Sequence, residues 1–208
     1  MSFYIPIKEF CNEIVSSFDL IPPQRKELLN NLSFIIDKNC NNDEVLNLIF
    51  VCTHNSRRSQ FANIWGYIAS IYYDLPLLKI YSCGTEESSL NINVLNTSKK
   101  TGFKVFSGGT KNSNINYQLF YSDNNHIECY SKKIFHPSLP KTNIISVMTC
   151  SDADQNCPII PNSIVRFSMT YDDPKIYDNT KECGQQYKQT ESIIAREIFY
   201  VFSKIQLL

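Results

Sequence analysis

Apolar and polar positions along this chain follow two spacings, which predict strands that alternate with helices. A mostly apolar run at residues 45–51 predicts a buried strand. The next segment repeats apolar residues three and four positions apart, as one face of an amphipathic helix does: Phe61, Ile64, Trp65, Ile68 and Ile71. Further strands are predicted at 77–82, 144–148 and 164–167, and further helices at 93–101 and 183–206. This alternation favours an α/β fold whose sheet is parallel and flanked by helices.

The first part of the chain departs from this alternation. Residues 3–18 and 23–40 are predicted helices, and the second begins with Pro23, a residue that the first turn of a helix tolerates well. We therefore expect residues 1–44 to be an N-terminal helical extension, a hairpin packed on a main domain of residues 45–208. The sequence of this extension indicates no catalytic or ligand-binding residues.

A second departure lies within the main domain, at about residues 107–140. This stretch is polar and contains two alternating runs, 115–121 and 126–131, around a turn of serine, aspartate and asparagine. Alternating runs joined by turn residues are typical of a β-hairpin. We predict a surface hairpin inserted between elements of the parallel sheet.

The composition and charge of the chain restrict the partners that it is expected to bind and the cell compartment in which it is expected to function. The chain has 208 residues, and 20 basic residues balance 20 acidic ones. A neutral chain without a basic patch argues against binding to nucleic acid or to a membrane surface. The N-terminus has no signal-peptide pattern and no segment is long and apolar enough to span a bilayer, so we expect a cytoplasmic protein.

Eight cysteines raise the question of disulfides or a metal site. The chain is long enough to build a core without disulfides, and reduced cysteines in the cytosol are more often catalytic, redox-active or metal-binding. No pair has the C-x2-C spacing, and the three histidines lie far from any zinc-knuckle spacing. We predict no metal site and no cofactor.

The segment after the first strand carries the clearest candidate chemistry. Cys52 ends the strand and Arg58 begins the predicted helix, with five residues between them. A loop of this length can turn successive backbone N–H groups inward as an anion nest, and the helix directs its positive end at the same place. That field also stabilises a thiolate, and the planar guanidinium can bind two oxygens of a tetrahedral anion. An isolated C-x5-R spacing is weak evidence, so the flanking strand and helix carry the argument.

A second pair of cysteines follows the predicted strand 144–148. Cys150 occupies the same strand-end position as Cys52, and sites in parallel sheets form at that edge. Cys157 follows after six almost wholly polar residues, a composition that suits an exposed, mobile segment. The alternative, that Cys150 only fills space beneath the loop and Cys157 follows it by chance, is about equally compatible with the spacing. Further on, Asp173 precedes a proline in a turn that could hold a general acid.

Together these segments resemble the low-molecular-weight protein tyrosine phosphatase superfamily and, within it, the thioredoxin-coupled arsenate reductases. The resemblance covers nearly all of residues 46–206 and rests on four motifs: VCTHNSRRSQ at 51–60, YSCGTE at 81–86, MTCSDADQNCP at 148–158 and DDP at 172–174. It implies a four-stranded parallel sheet flanked by helices. It also implies an oxyanion-binding loop built from Thr53, His54, Asn55, Ser56, Arg57, Arg58 and Ser59.

The resemblance implies a role for each matching residue. Cys52 corresponds to the attacking thiolate, Arg58 to the group that clamps the oxyanion, and Asp173 to the acid that protonates the leaving oxygen. Cys150 would attack the adduct of Cys52 with arsenic and expel arsenite. Cys157 would attack the resulting disulfide, and a thioredoxin-like reductant would then reduce the Cys150–Cys157 bond.

Two substitutions relative to the family bear on this interpretation. His54 stands where the family usually has glycine, although histidine tolerates a positive φ better than most residues. Lys175 stands where tyrosine phosphatases often have an aromatic residue, which favours a small inorganic oxyanion as substrate.

Three functional hypotheses remain open on the sequence. The leading one is an arsenate reductase that uses a three-cysteine disulfide relay. The alternative is a phosphatase acting on phosphotyrosine or small phosphoesters. A third, a phospho-ligand-binding or redox-sensing protein without turnover, is opposed by the presence of Cys52, Arg58 and Asp173.

Overall fold

The computed structural model describes residues 3–40, 44–111, 114–156, 160 and 162–205, with the backbone alone at 110 and 111. The helices are α1 (Ile5–Ser16), α2 (Pro23–Cys40), α3 (Arg58–Tyr72), α4 (Ile92–Thr101), α5 (Ser151–Asn156) and α6 (Cys183–Phe202). Short 3-10 turns lie at Phe18–Leu20 and Pro174–Tyr177. The strands are β1 (Leu46–Cys52), β2 (Leu78–Gly84), β3 (Lys104–Lys111), β4 (Asn114–Phe120), β5 (His126–Cys129), β6 (Ile144–Met148) and β7 (Ser163–Ser168).

The main sheet has four strands in the order β2-β1-β6-β7, and every neighbouring pair is parallel. This confirms the predicted four-stranded parallel sheet. All seven residues of β1 are buried, as expected for an inner strand covered on both faces. Because β1 lies between β2 and β6, its carboxyl end brings Cys52 to the middle of the edge where parallel sheets form their sites.

The two predicted N-terminal helices are present as α1 and α2. Helix α1 packs against α6 and α4, whereas α2 packs against α6 and β1. Leu32 of α2 is fully buried and belongs to the same hydrophobic cluster as Trp65 of α3 and Ile198 of α6. The two helices therefore add to the core of the main domain.

The predicted inserted hairpin corresponds to β4 and β5, but the insertion is a three-stranded antiparallel sheet in the order β3-β4-β5. Strand β3 was missed, and it begins before the predicted insertion. The pair Gly108 and Gly109 looks like a turn in the sequence, whereas the structure places it in a β-bulge, with Gly109 at a φ of 41°. The bulge bends the strand without ending it.

Two further segments differ from prediction. The polar stretch after β6 forms the short helix α5, of which Ala153 is buried against the sheet while its polar residues face outward. The final helix ends at Phe202, earlier than the predicted end at 206, which lies outside the described residues. Among the helices that the structure describes, none is long and apolar enough to cross a membrane.

Candidate active site

The loop from Cys52 to Arg58, here called the oxyanion loop, directs its backbone carbonyls outward. Five successive carbonyls accept hydrogen bonds from surrounding segments: Cys52 from Thr85 N (3.2 Å), Thr53 from Glu86 N (2.8 Å), His54 from Ser131 Oγ (2.9 Å), Asn55 from Gln60 Nε2 (3.0 Å) and Ser56 from Asn91 N (3.1 Å). The backbone N–H groups of residues 53–58 donate to no atom of the described chain. Carbonyls that are bound outward leave these N–H groups to form an anion-binding concavity.

Asn55 fixes the shape of this loop. It has a φ of 47°, in the left-handed region that asparagine enters more readily than most residues. Its side chain is fully buried, and its amide oxygen accepts the backbone N–H of Lys132 at 2.9 Å. The positive φ thus falls at Asn55 and not at His54, whose half-exposed imidazole lies 3.3 Å from the carboxylate of Glu86.

The Cys52 thiol is buried at the base of the concavity. Its sulfur lies 3.0 Å from the Ser59 hydroxyl oxygen, and that oxygen accepts a hydrogen bond from the Asn55 side-chain amide at 2.8 Å. Because the Ser59 oxygen already accepts from Asn55, its own proton is available to the sulfur. A hydroxyl that donates to sulfur stabilises the thiolate, which is the nucleophilic form of cysteine.

Arg58 connects the loop to the turn that carries Asp173. Its Nη1 donates to the Tyr171 carbonyl at 2.9 Å, and its Nη2 donates to the Asp173 carboxylate at 2.5 Å. The other oxygen of Asp173 accepts the backbone N–H of Lys175 at 3.0 Å and so caps the 3-10 turn. The predicted clamp and the predicted acid are therefore in direct contact. Asp172 is exposed, as is Lys175.

The side chain of Arg57, a residue that the resemblance places in the oxyanion-binding loop, makes its contacts with other segments of the chain. Its Nε donates to the Tyr187 hydroxyl and its Nη2 to the Asp178 carboxylate, both at 2.6 Å. Burial disfavours ionisation of Asp178, but hydrogen bonds from Tyr187 and Arg57 outweigh it and keep the pKa of the carboxyl below its usual range. Arg57 can offer the anion only its backbone N–H, while its guanidinium links the loop to the segment after Asp173.

Cys150 lies at the end of β6, beside the oxyanion loop. Its sulfur is 3.5 Å from the Thr53 hydroxyl oxygen and accepts the backbone N–H of Ala153 at 3.3 Å. The Thr53 hydroxyl in turn donates to the Asp152 carboxylate at 2.6 Å. The structure thus brings a second thiol to the same sheet edge as Cys52. The third predicted cysteine, Cys157, lies outside the described residues.

Three residues that support the loop were not identified from the sequence. Ser131 and Lys132, which follow β5, bind the His54 carbonyl and the Asn55 amide oxygen. Gly84 packs directly under the loop, where a Cβ atom would lie 2.6 Å from the Thr53 carbonyl oxygen and 2.7 Å from the Asn55 nitrogen. Gly84 belongs to the YSCGTE motif at 81–86, which was the available signal for this position, whereas Ser131 and Lys132 lie in none of the four motifs. Within the described residues, no group of three or more His, Cys, Asp and Glu side chains could hold a metal ion.

The chain is similar in sequence to known arsenate reductases. No family model matches the chain. Arsenate reductase 2 of Staphylococcus epidermidis strain RP62A is 31% identical over 127 residues, which cover 61% of this chain and 77% of that protein. Arsenate reductase of Staphylococcus aureus strain Newman is 30% identical over 129 residues, with the same coverage of 61% and 77%. A solved arsenate reductase in the phosphate-binding state has 17% identity and a TM-score of 0.48, covering 78% of this chain and 100% of that one.

A parallel α/β sheet that presents a cysteine, an anion-binding loop and an arginine at the end of its inner strand defines a class of oxyanion-binding proteins with a cysteine nucleophile. With relatives at this level of identity and coverage, the chain belongs to the low-molecular-weight protein tyrosine phosphatase superfamily and is arsenate reductase-like within it.

Proposed function

We propose that this protein is an arsenate reductase that converts arsenate to arsenite through the Cys52 thiolate and a three-cysteine relay. The observation that carries this proposal is the placement of Cys150, whose sulfur contacts the oxyanion loop through Thr53 at 3.5 Å. A phosphatase needs one thiol at this position, whereas a reductase needs a second thiol close to the first. The relatives named as arsenate reductases support the same choice.

Arsenate would bind as a tetrahedral oxyanion in the concavity of the loop. The N–H groups of residues 53–58 would donate to its oxygens, and the guanidinium of Arg58 would donate to two of them through its planar fork. Arg58 contacts Asp173 in the structure, so the same cation would bring the anion and the acid together.

In the first step, the Cys52 thiolate attacks arsenic. A sulfur–arsenic bond forms, and one arsenic–oxygen bond breaks as an oxygen leaves as water after taking a proton from Asp173. Arsenic remains in the +5 state in this adduct. Ser59 stabilises the thiolate before the attack.

In the second step, the Cys150 thiolate attacks the Cys52 sulfur. The new disulfide forms as the sulfur–arsenic bond breaks, and the electron pair of that bond stays on arsenic, which leaves as arsenite in the +3 state. The Cys157 thiolate then attacks the Cys150 sulfur and releases the Cys52 thiolate. A thioredoxin-like dithiol reduces the Cys150–Cys157 disulfide, and one arsenate and two thiols have become arsenite, a disulfide and water.

The relay requires α5 to change shape. Cys150 immediately precedes this helix, and seven positions along a helix span roughly 10 Å, whereas a disulfide needs Cα atoms closer than about 7 Å. Helix α5 has six residues, of which only Ala153 is buried, so its unwinding would expose little apolar surface. It would have to break the hydrogen bonds from Arg166 Nη2 to the Ala153 and Asp154 carbonyls, at 2.8 and 2.6 Å.

Phosphatase activity is the second candidate function, because Asp173 lies beside Arg58, where its carboxyl group could protonate a leaving oxygen in either reaction. In that case Cys52 would form a cysteinyl-phosphate that water hydrolyses, and Cys150 would only protect the thiol. The exposed Lys175, where tyrosine phosphatases often have an aromatic residue, favours the small inorganic anion.

Serine variants of the three cysteines distinguish the two functions. We expect Cys52→Ser to lose both arsenate reduction and aryl phosphate hydrolysis, because a serine hydroxyl hardly ionises and forms no disulfide. Cys150→Ser and Cys157→Ser should lose multiple-turnover arsenite release with thioredoxin while they keep aryl phosphate hydrolysis. Cys183→Ser, at the start of α6, is the matched control and should keep both activities.

Peptide mapping of the non-reduced variants tests the order of the relay. After arsenate treatment, Cys157→Ser should accumulate a Cys52–Cys150 disulfide, and Cys150→Ser should not. A Cys157→Ser variant with wild-type arsenite production would contradict the relay and leave phosphatase activity as the better account.

A further inference from the structure

The guanidinium of Arg25, in the N-terminal extension, reaches the segment that carries Asp173. Its Nε and Nη2 donate to the two carboxylate oxygens of Glu197 in α6, at 2.9 and 2.7 Å. The same Nη2 donates to the Thr170 carbonyl at 3.3 Å, and the guanidinium carbon lies 5.2 Å from the centre of the Tyr171 ring. Arg25 thus connects α2 and α6 to the segment that follows β7.

This segment, residues 170–173, is here called the acid loop. It has no regular secondary structure, and its described backbone bond to the sheet is from Tyr171 N to Thr149 O at 3.2 Å. Arg58 binds the Tyr171 carbonyl and Asp173 from the side of the oxyanion loop. Arg25, from α2, contacts residues 170 and 171. Two guanidinium groups from different parts of the chain therefore contact the acid loop.

We propose that Arg25 is a positioning residue, which holds the acid loop so that Asp173 stays beside Arg58 at the oxyanion loop. This inference rests on the proposed function, since it assigns a purpose to the N-terminal extension in that same reaction. Arg25 touches neither the oxyanion loop nor Asp173 directly and acts through Thr170 and Tyr171.

The contacts of the Arg25 side chain require a guanidinium group. Glu197 is 6% exposed and takes both donors of the fork, which fixes the plane of the guanidinium against the Tyr171 ring. A lysine could keep an ion pair with Glu197, but its single ammonium could not reproduce the bidentate pair, the Thr170 contact and the stacking together. Arg25→Lys therefore removes the positioning while leaving no buried carboxylate without a cation.

The test measures single-turnover arsenite formation and phosphate affinity in Arg25→Lys. We expect the rate constant to fall about tenfold, because misplaced catalytic groups lose much of their effect. Phosphate affinity by calorimetry should stay within about twofold, because the oxyanion loop is untouched. In a protein that already carries Asp173→Asn, Arg25→Lys should not lower the rate constant further, because the effects of coupled residues are not additive.

A second variant and a control complete the test. The double variant Arg25→Met/Glu197→Gln removes the link without leaving a buried charge unpaired and should show the same tenfold loss. Arg196→Lys is the matched control, because Arg196 lines the same groove of about 820 Å³ but donates to Ser17, and it should keep the wild-type rate.

The outcomes separate this inference from the proposed function. An unchanged rate in Arg25→Lys, or an equal loss with and without Asp173, would overturn the positioning role while the wild type still reduced arsenate. A wild type that releases no arsenite but hydrolyses aryl phosphate would overturn arsenate reduction alone, and the Arg25 comparison would then be made on aryl phosphate. A wild type inactive in both assays would overturn both.

Discussion

Hydrogen bonds connect the buried side chains of Asn55, Ser59 and Cys52. The Asn55 amide donates to the Ser59 oxygen, which leaves the Ser59 proton for the Cys52 sulfur. These groups contact the sulfur without a cation, whereas the guanidinium of Arg58 binds the Tyr171 carbonyl and the Asp173 carboxylate. We therefore expect the reactivity of the thiol to depend on Asn55 and Ser59 as well as on the oxyanion-binding groups.

We expect Ser59→Ala to slow the first chemical step by about tenfold to a hundredfold. A hydrogen bond to a charged group contributes about 1.5–3 kcal/mol, and about 1.4 kcal/mol corresponds to a factor of ten. Rapid-quench measurement of adduct or arsenite formation at neutral pH would show the loss. Ser70→Ala is the control, since Ser70 lies on the same helix and donates only to the Tyr67 carbonyl. A Ser59→Ala rate equal to that of the control would contradict the role of the hydroxyl.

Part of the site could be predicted because its residues lie close together in the sequence. Cys52 and Arg58 lie within one strand, loop and helix unit, so their proximity follows from the chain itself. The direction of the Arg57 side chain could not be predicted, because its partners Asp178 and Tyr187 are 121 and 130 positions away. Two adjacent arginines look equivalent in the sequence, and only distant contacts make them different.

At the scale of elements, the junction of β2 with the oxyanion loop depends on the absence of a side chain at Gly84. The nearest atoms to a Cβ there belong to the backbones of Thr53, Asn55 and Glu86, so no side chain can move aside. The strand end and the loop are therefore packed backbone to backbone. This contact explains why β2 can supply donors to the loop carbonyls through Thr85 and Glu86.

We expect Gly84→Ala to destabilise the fold by about 3 kcal/mol, at the upper end of typical overpacking costs, and to abolish phosphate binding. Denaturant unfolding and calorimetric phosphate titration would measure the two effects. Gly184→Ala in α6 is the control, since its Cβ would meet no atom closer than 3.7 Å and alanine favours helices. Normal phosphate affinity in Gly84→Ala would contradict the close packing.

Regular elements were largely predictable, and the exceptions have physical causes. The strands β1 and β6 of the parallel sheet are mostly apolar runs, which are easily distinguished from the more polar segments around them. Strand β3 was missed because its two adjacent glycines, which allow the bulge, are also the strongest turn signal in the segment. Helix α5 was missed because its polar residues give no apolar stripe, and only Ala153 is buried.

At the scale of the whole molecule, the N-terminal helices and the parallel sheet share one hydrophobic cluster. Leu29, Leu32 and Ile36 of α2 are fully buried in it. Ser33, on the same face, donates to the Val201 carbonyl of α6 at 3.0 Å. A unit that shares its core with the rest of the chain should not unfold separately.

We therefore expect Leu32→Ala to lower the free energy of unfolding by about 2–5 kcal/mol, as is typical of cavities in a core. Denaturation should remain a single transition by circular dichroism and by Trp65 fluorescence. Phe34→Ala is the control on the same helix, because Phe34 is 66% exposed, and it should change stability by about 0.5 kcal/mol or less. Two separate transitions would show instead that the extension folds independently.

The long-range hydrogen bonds of the oxyanion loop also determine when the site can be completed during synthesis on the ribosome. The His54 carbonyl is bound by a residue 77 positions later, and Arg58 binds a carboxylate 115 positions later. At about 5–20 residues per second, the ribosome adds those 115 positions in on the order of ten seconds. During that interval the nascent chain carries Cys52 and Arg58 without their partner carboxylate, and the contact of Arg58 with the acid loop forms only after residue 173 has been added.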